Sequence, residues 1–306
     1  MKPTKHTPSC KPASVQRFLR STLWRVAPLP ALILLMSIAA AMAEETNATE
    51  AVALSKAPTP IKADPLHLAP SYPRLVWDDT RLVLSAPARW DKHDWLKFSA
   101  ASLAVVGSGF LLDRRVAEHV KNNNNDSLSS ALKKIEPFGA EYSFGVLGAF
   151  YVAGAVTDDS NAKQVTGDGL AASLIASGII TPTLKFAAGR SRPVDDKGPH
   201  DFNPFSNNNS FPSGHTTQAF AVGSVIAEHY DAPWIKFLSY GMASLVGLAR
   251  IDHGAHYTSD VVAGALIGTS VGRSVVHINN RERAGNMTLS PVIGDDLYGA
   301  AVCCSF

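Results

Sequence analysis

Phe211-Pro212-Ser213-Gly214-His215-Thr216-Thr217 joins a polar, turn-rich loop to the apolar run 219–227. A Ser-Gly pair at a helix start leaves backbone N–H groups unpaired at the positive end of the helix dipole. Such an end suits an anion such as phosphate. His215 adds a group that holds or gives up a proton near neutral pH. A serine cap followed by a histidine is common on its own. The stretch gains weight only if other cations and a second histidine stand at compatible places.

Working outward, apolar segments cover 94–112, 142–157, 169–186, 214–230, 233–248 and 259–276. Ala, Leu and Gly dominate them and each exceeds ten residues, which favours helix over strand. A shorter helix is expected over 128–135, ending before Pro137. Turn chemistry separates the segments at Lys121-Asn122-Asn123-Asn124-Asn125-Asp126, at Asp158-Asp159-Ser160-Asn161 and at Asn207-Asn208-Asn209. The pattern predicts an all-α fold with a six-helix core bundle and no internal repeat. Residues 75–87 read as short strands or an irregular approach. The tail alternates around Gly294-Asp295-Asp296, as a short C-terminal β-hairpin would.

Two more clusters stand at helix ends. Lys185-Phe186-Ala187-Ala188-Gly189-Arg190-Ser191-Arg192-Pro193 sets Lys185 and Arg192 seven residues apart. Gly189 and Pro193 let the chain leave the helix and swing Arg192 back. Taken alone, cations at a helix C-terminus are ordinary dipole partners. Arg250-Ile251-Asp252-His253-Gly254-Ala255-His256-Tyr257-Thr258-Ser259-Asp260 precedes the last helix. Asp260 lies four residues from His256 and can fold back to an imidazole N–H, freeing the other ring nitrogen to attack. Together the clusters offer three cations, a helix N-terminus and two histidines. Phosphoryl transfer through a phosphohistidine needs that combination.

Lys-x6-Arg-Pro from Lys185 to Pro193, Pro-Ser-Gly-His from Pro212 to His215 and Arg-x5-His-x3-Asp from Arg250 to Asp260 resemble a three-part signature. It is that of the type 2 phosphatidic acid phosphatase superfamily, which includes lipid phosphatases, bacterial acid phosphatases and vanadium haloperoxidases. By motif position the resemblance implies His256 as nucleophile, Asp260 as its orienting partner and His215 as general acid. Lys185, Arg192 and Arg250 would bind phosphate, with hydrogen bonds from Ser213 and Gly214. No metal or cofactor is implied, and vanadate would bind as a phosphate mimic. The third part usually begins Ser-Arg, whereas this chain has Ala249-Arg250, a change that touches fine positioning. Arg190 reads as an addition to the positive field or a solvated charge. Asp252 and His253 read as solvated loop residues, with substrate contact as the alternative, and His200 and Asp201 as a candidate entrance rim.

The remaining composition bounds the partners. The chain has 306 residues, 46% hydrophobic and 18% charged, enough for a substantial core. Residues 1–43 read as a secretory signal: a basic stretch without acids, an apolar run, then Ala41-Met42-Ala43. Its six Lys and Arg account for the basic balance, and without them the formal charge falls from +2 to −4. A nucleic-acid role therefore has no support. Residues 44–90 read as linker and irregular approach, 91–280 as the helical phosphatase domain and 281–306 as tail. Cys10, Cys303 and Cys304 form no disulfide framework. Lys97, Lys185, Glu228, Lys236 and Arg273 interrupt the apolar runs. The expectation is thus a periplasmic bundle, soluble or touching a membrane, rather than six spans. The substrate is expected to be a phosphorylated small molecule or a phospholipid. A vanadate-dependent haloperoxidase and a non-catalytic phosphate-binding module are the competing readings.

Overall fold

The computed structural model describes residues 72–123, 125–285, 287–294 and 297–304. The expected signal and most of the linker lie outside these residues. Eight helices follow in order: α1 (Tyr72–Ser85), α2 (Lys92–Asn122), α3 (Asp126–Ile135), α4 (Glu141–Thr157), α5 (Ser160–Ala188), α6 (Gly214–His229), α7 (Pro233–Asp252) and α8 (Thr258–Gly285). Strands β1 (Met287–Gly294) and β2 (Leu297–Cys304) pair antiparallel, Met287 opposite Cys304. Apart from this hairpin, the fold of the described residues is all-α.

Residues 75–87 correct the expectation of strands or irregular chain. Val76, Asp79 and Thr80 are buried, and Tyr72, Leu75 and Val83 pack beside them on the core. That spacing follows the helical period, which charged and aromatic neighbours disguise as alternation. Helix starts follow local chemistry: Asp91 and Asp94 make a reciprocal capping box on α2, and Asn125 and Asp159 cap α3 and α5. Both α2 and α5 carry a π-helical stretch, Gly109–Asp113 and Leu174–Ile180, and run on through it.

Helix α6 lies at the centre, packed against α8, α7 and α5. Ala221, Val222 and Val225 face one core cluster with Val165, Ile175 and Val275. Ala219, Phe220 and Ala227 face another with Tyr240, Val246, Val261 and Val262. A helix apolar on both faces can be satisfied only by enclosure. Its approach to α8 is close because Gly264, Gly268 and Gly272 form a stripe toward it. A Cβ at Gly268 would lie 2.4 Å from the carbonyl oxygen of Thr217, and one at Gly272 2.1 Å from Ser224 Oγ.

The outer helices are apolar in the opposite direction. Trp95, Leu96, Phe98, Leu103, Phe110 and Leu111 of α2 are exposed, as are Tyr151, Val152 and Val156 of α4. Among the described residues, three helices, α2, α5 and Thr258–Arg281 of α8, are long and apolar enough to cross a membrane. Their length corrects the estimate made from the uninterrupted runs. The helix expected over 94–112 continues to Asn122, and the one expected over 169–186 begins at Ser160. These features fit a membrane-associated protein, because large exposed apolar faces are rare on soluble monomers.

Candidate active site

The phosphate-binding expectations converge at one end of α6. Helix α5 ends at Ala188, and Gly189 takes a left-handed cap at φ 56°. A side chain there would collide with the carbonyl oxygen of Asn203, 1.7 Å from the Cβ position. Only glycine lets the chain turn so tightly. Lys185 thus stays on the last helical turn while Arg192 returns from the loop, and both meet Asn209. Lys185 Nζ donates to the Asn209 carbonyl, and Arg192 Nε donates to Asn209 Oδ1 at 3.0 Å. Lys185 also lies beside the start of α6, its Cε 3.8 Å from where a Cβ of Gly214 would be.

Ser213 caps α6 from a wholly buried position. Its N–H donates to the carbonyl of Asp260 at 3.0 Å, and its Oγ accepts from Thr216 Oγ1 at 2.9 Å. Ser213 therefore ties the start of α6 to the start of α8. The orphan donors of the helix end begin with Gly214. His215, on the first turn, is half-buried, and burial pushes its pKa below the usual 6.5, with Arg250 adding to the fall.

His256 lies between α7 and α8, and the ring is almost wholly buried at 3% exposure. Its pKa is pushed down to about 4 by burial, against the pull of Asp260. Nδ1 faces Asp260 Oδ2 at 3.7 Å, a separation longer than a hydrogen bond. Lys185 and Arg250 both act electrostatically on His256 and on His215, so the cations and the two rings share one locality.

Asp260 is held by more than its histidine. Oδ2 accepts from Ser210 Oγ at 2.6 Å and from the Tyr257 N–H at 2.8 Å. Oδ1 accepts from Arg190 Nη1 at 2.5 Å. Arg190 is a correction: expected in the positive field or in water, it is buried. Its guanidinium also binds Asp113 Oδ2 at 2.6 Å and Ser259 Oγ at 2.7 Å, and lies over the rings of Tyr257 and Phe202. Asp113 carried a signal that was missed, a carboxylate closing a long apolar run.

Two further expectations change. His253, read as a loop residue, contacts Glu136 Oε2 through Nδ1 at 2.8 Å. Asp252 accepts from Ser129 Oγ at 2.6 Å. Glu136, which no spacing argument singled out, also contacts Arg250 and lies 3.9 Å from His215 Nε2. His200 rests against Phe110, and Asp201 holds Ser191, so this loop is tied to the chain between Lys185 and Arg192. Among the described residues, no group of three or more His, Cys, Asp or Glu is placed to hold a metal ion.

Two cavities reach the histidines from different sides. One of about 880 Å³ is lined by Arg114, Lys121, Val194, His253, His256 and Tyr257. The other, about 550 Å³, is lined by Phe144, Leu170, Leu174 and Gly178 and ends at Gly214 and His215.

Residues 169–284, which hold every one of these motif positions, match the family model described as the PAP2 superfamily. Over that stretch the chain is similar to the PAP2 superfamily. It is 34% identical over 112 residues to a lipid A 1-phosphatase of Porphyromonas gingivalis, covering 36% of this chain and 22% of that one. It is 38% identical over 100 residues to a lipid A 1-phosphatase of Rhizobium etli, covering 31% of this chain and 42% of that one. The matches thus span less than half the length of these curated relatives. Among solved structures, Aquifex aeolicus LpxE aligns with 54% of this chain and 95% of its own, at 25% identity and a TM-score of 0.43.

Proposed function

We propose that this protein is a phosphatase that releases phosphate from lipid phosphates, lipid diphosphates or related monoesters through a phosphohistidine. The observation that carries the reading is the convergence of Lys185, Arg192 and Arg250 on the start of α6 beside two unlike histidines. One ring is buried, neutral and backed by a carboxylate, and the other is half-exposed.

In the first step Nε2 of His256 attacks phosphorus while the bond to the leaving oxygen breaks. His215 gives its proton to that oxygen. The three cations and the N–H groups at the start of α6 receive the charge on the remaining phosphoryl oxygens. Positive charge grows on the His256 ring, and the buried Asp260 stabilises it. In the second step His215 takes a proton from water, water attacks phosphorus, and the N–P bond breaks to release phosphate. No step calls on a metal.

The apolar cavity that ends at His215 suits a hydrophobic leaving group, because it lies on the proton donor's side. Exposed apolar faces on α2 and α4 would keep such a substrate within reach. The relatives named as lipid A 1-phosphatases point the same way. Secretion and a periplasmic site remain part of this reading, carried by the signal-like residues 1–43.

The test is phosphate release from dispersed lipid phosphate and from p-nitrophenyl phosphate, with and without chelator. Turnover of the lipid without added metal is the expected result. A chelator-sensitive activity, or bromination when vanadate is supplied, would overturn it.

A further inference from the structure

Glu136 follows α3 and opens the turn Glu136–Gly139. That turn is pressed onto the start of α6: a Cβ at Gly139 would lie 2.5 Å from the carbonyl oxygen of His215. The carboxylate is thereby delivered to the side of the site that carries the proton donor. Oε1 contacts Arg250 Nη1 and stands 3.9 Å from His215 Nε2, while Oε2 is anchored by His253 at 2.8 Å. Glu141, at the start of α4, adds a second negative charge acting on His215.

A proton donor stands beside the leaving oxygen. Whatever is attached to that oxygen therefore passes Glu136 and Glu141. An uncharged alcohol meets no penalty there. A second phosphoryl group would bring further negative charge within a few ångströms of a fixed carboxylate. The cations Lys185, Arg192 and Arg250 match a phosphate dianion plus Glu136, and a diphosphate exceeds them. From this placement we propose that Glu136 is a specificity-determining residue, selecting phosphate monoesters with uncharged leaving groups over diphosphates.

The proposal rests on the phosphatase reading and narrows its substrate. The experiment uses the full chain in detergent, with an alkyl phosphate and the matched alkyl diphosphate as paired substrates. Wild type should favour the monoester in kcat/KM. Glu136→Gln should move the diphosphate-to-monoester ratio about tenfold toward the diphosphate, as removal of one nearby charge implies. Glu136→Asp, which keeps the charge, should retain the wild-type preference. If Glu136 only braces Arg250, both substrates fall together and the ratio stays put, which overturns the proposal. Competitive inhibition of wild type by the two compounds, held as non-hydrolysable phosphonates, gives a second reading that needs no variant. Tighter binding of the diphosphate analogue would also overturn it. Failure of wild type to release phosphate from either substrate is a separate outcome that removes the phosphatase reading itself.

Discussion

Arg190 Nη1 stands 2.5 Å from Asp260 Oδ1 while Nη2 holds Asp113 Oδ2 at 2.6 Å, so one buried guanidinium joins α2 to the carboxylate behind His256. Two carboxylates buried together need such a partner, and removing it leaves both uncompensated. Arg190→Ala is expected to lower stability by about 3–5 kcal/mol, read from urea or thermal unfolding in detergent. Arg190→Lys should recover little, because a single ammonium cannot reproduce the fork that reaches Asp113, Ser259 and Asp260 at once. Full stability in Arg190→Lys would contradict this account.

The two histidines should separate by leaving group. His256→Ala is expected to abolish phosphate release from both an alkyl phosphate and p-nitrophenyl phosphate, together with any acid-labile phosphoenzyme. His215→Asn should slow the alkyl phosphate by about 10²–10⁴, the usual worth of a general acid. It should slow p-nitrophenyl phosphate much less, since nitrophenolate leaves without a proton. Equal losses on both substrates would remove His215 from the proton-donor role.

An acid optimum follows from the two ring environments. His256 is held neutral down to about 4 by burial, so its lone pair survives in acid. As the proposed proton donor, His215 would have to carry a proton, and burial and Arg250 lower its pKa, with Lys185 adding and Glu136 and Glu141 opposing. Raising the pH through that lowered value strips the donor. Dropping it below about 4 protonates the attacker. The kcat/KM profile should therefore peak between about 4 and 6.5. A peak at neutral or alkaline pH would count against these assignments.

The sequence made the motif positions legible because their spacing is local: Lys185 to Pro193, Pro212 to His215, Arg250 to Asp260. It did not show what stands behind them. Arg190 sits inside the first motif, yet its partners are 70 and 77 residues away in the chain, and no periodicity encodes that. Glu136 reaches Arg250 across 114 residues by way of the turn before α4. Helix α1 was misread because a short amphipathic helix with aromatic and charged residues imitates alternation. Polar residues near the ends of α2 and α5 read as boundaries in the sequence, whereas they are the polar ends of longer helices.

A second buried polar cluster lies at the other end of α6, about 22 Å from Gly214 by helical rise. Asp168 of α5 accepts from His229 at 2.9 Å, from Asn279 Nδ2 at 2.8 Å and from Arg283 at 2.8 Å. Asp168→Ala is expected to cost about 3–5 kcal/mol in unfolding while leaving KM within about twofold of wild type. A large rise in KM with unchanged stability would show that this end communicates with the site.

The glycine stripe on α8 has its own measurable signature. Gly268→Ala would drive a methyl group against Thr217 and Ala221 backbone atoms of α6. It should lower stability by about 1–3 kcal/mol, the usual cost of overpacking. It should also lower kcat more than it raises KM, because Gly214 and Asp260 sit at the same ends of these two helices. Unaltered turnover in a destabilised variant would confine the stripe to packing.

Along that stripe the α8 backbone lies against the carbonyls of Ser213, Thr217 and Ala221, with only short side-chain atoms such as Ser224 Oγ between. A slide of α6 past α8 would push one main chain into the other, so the spacing of His215 and Asp260 is set by covalent dimensions rather than by soft contacts. The outward-facing Tyr151, Val152 and Val156 of α4 have no such constraint. That face of α4 can thus shift with its surroundings while His215 and Asp260 keep their separation, which insulates the site from the apolar surface outside it.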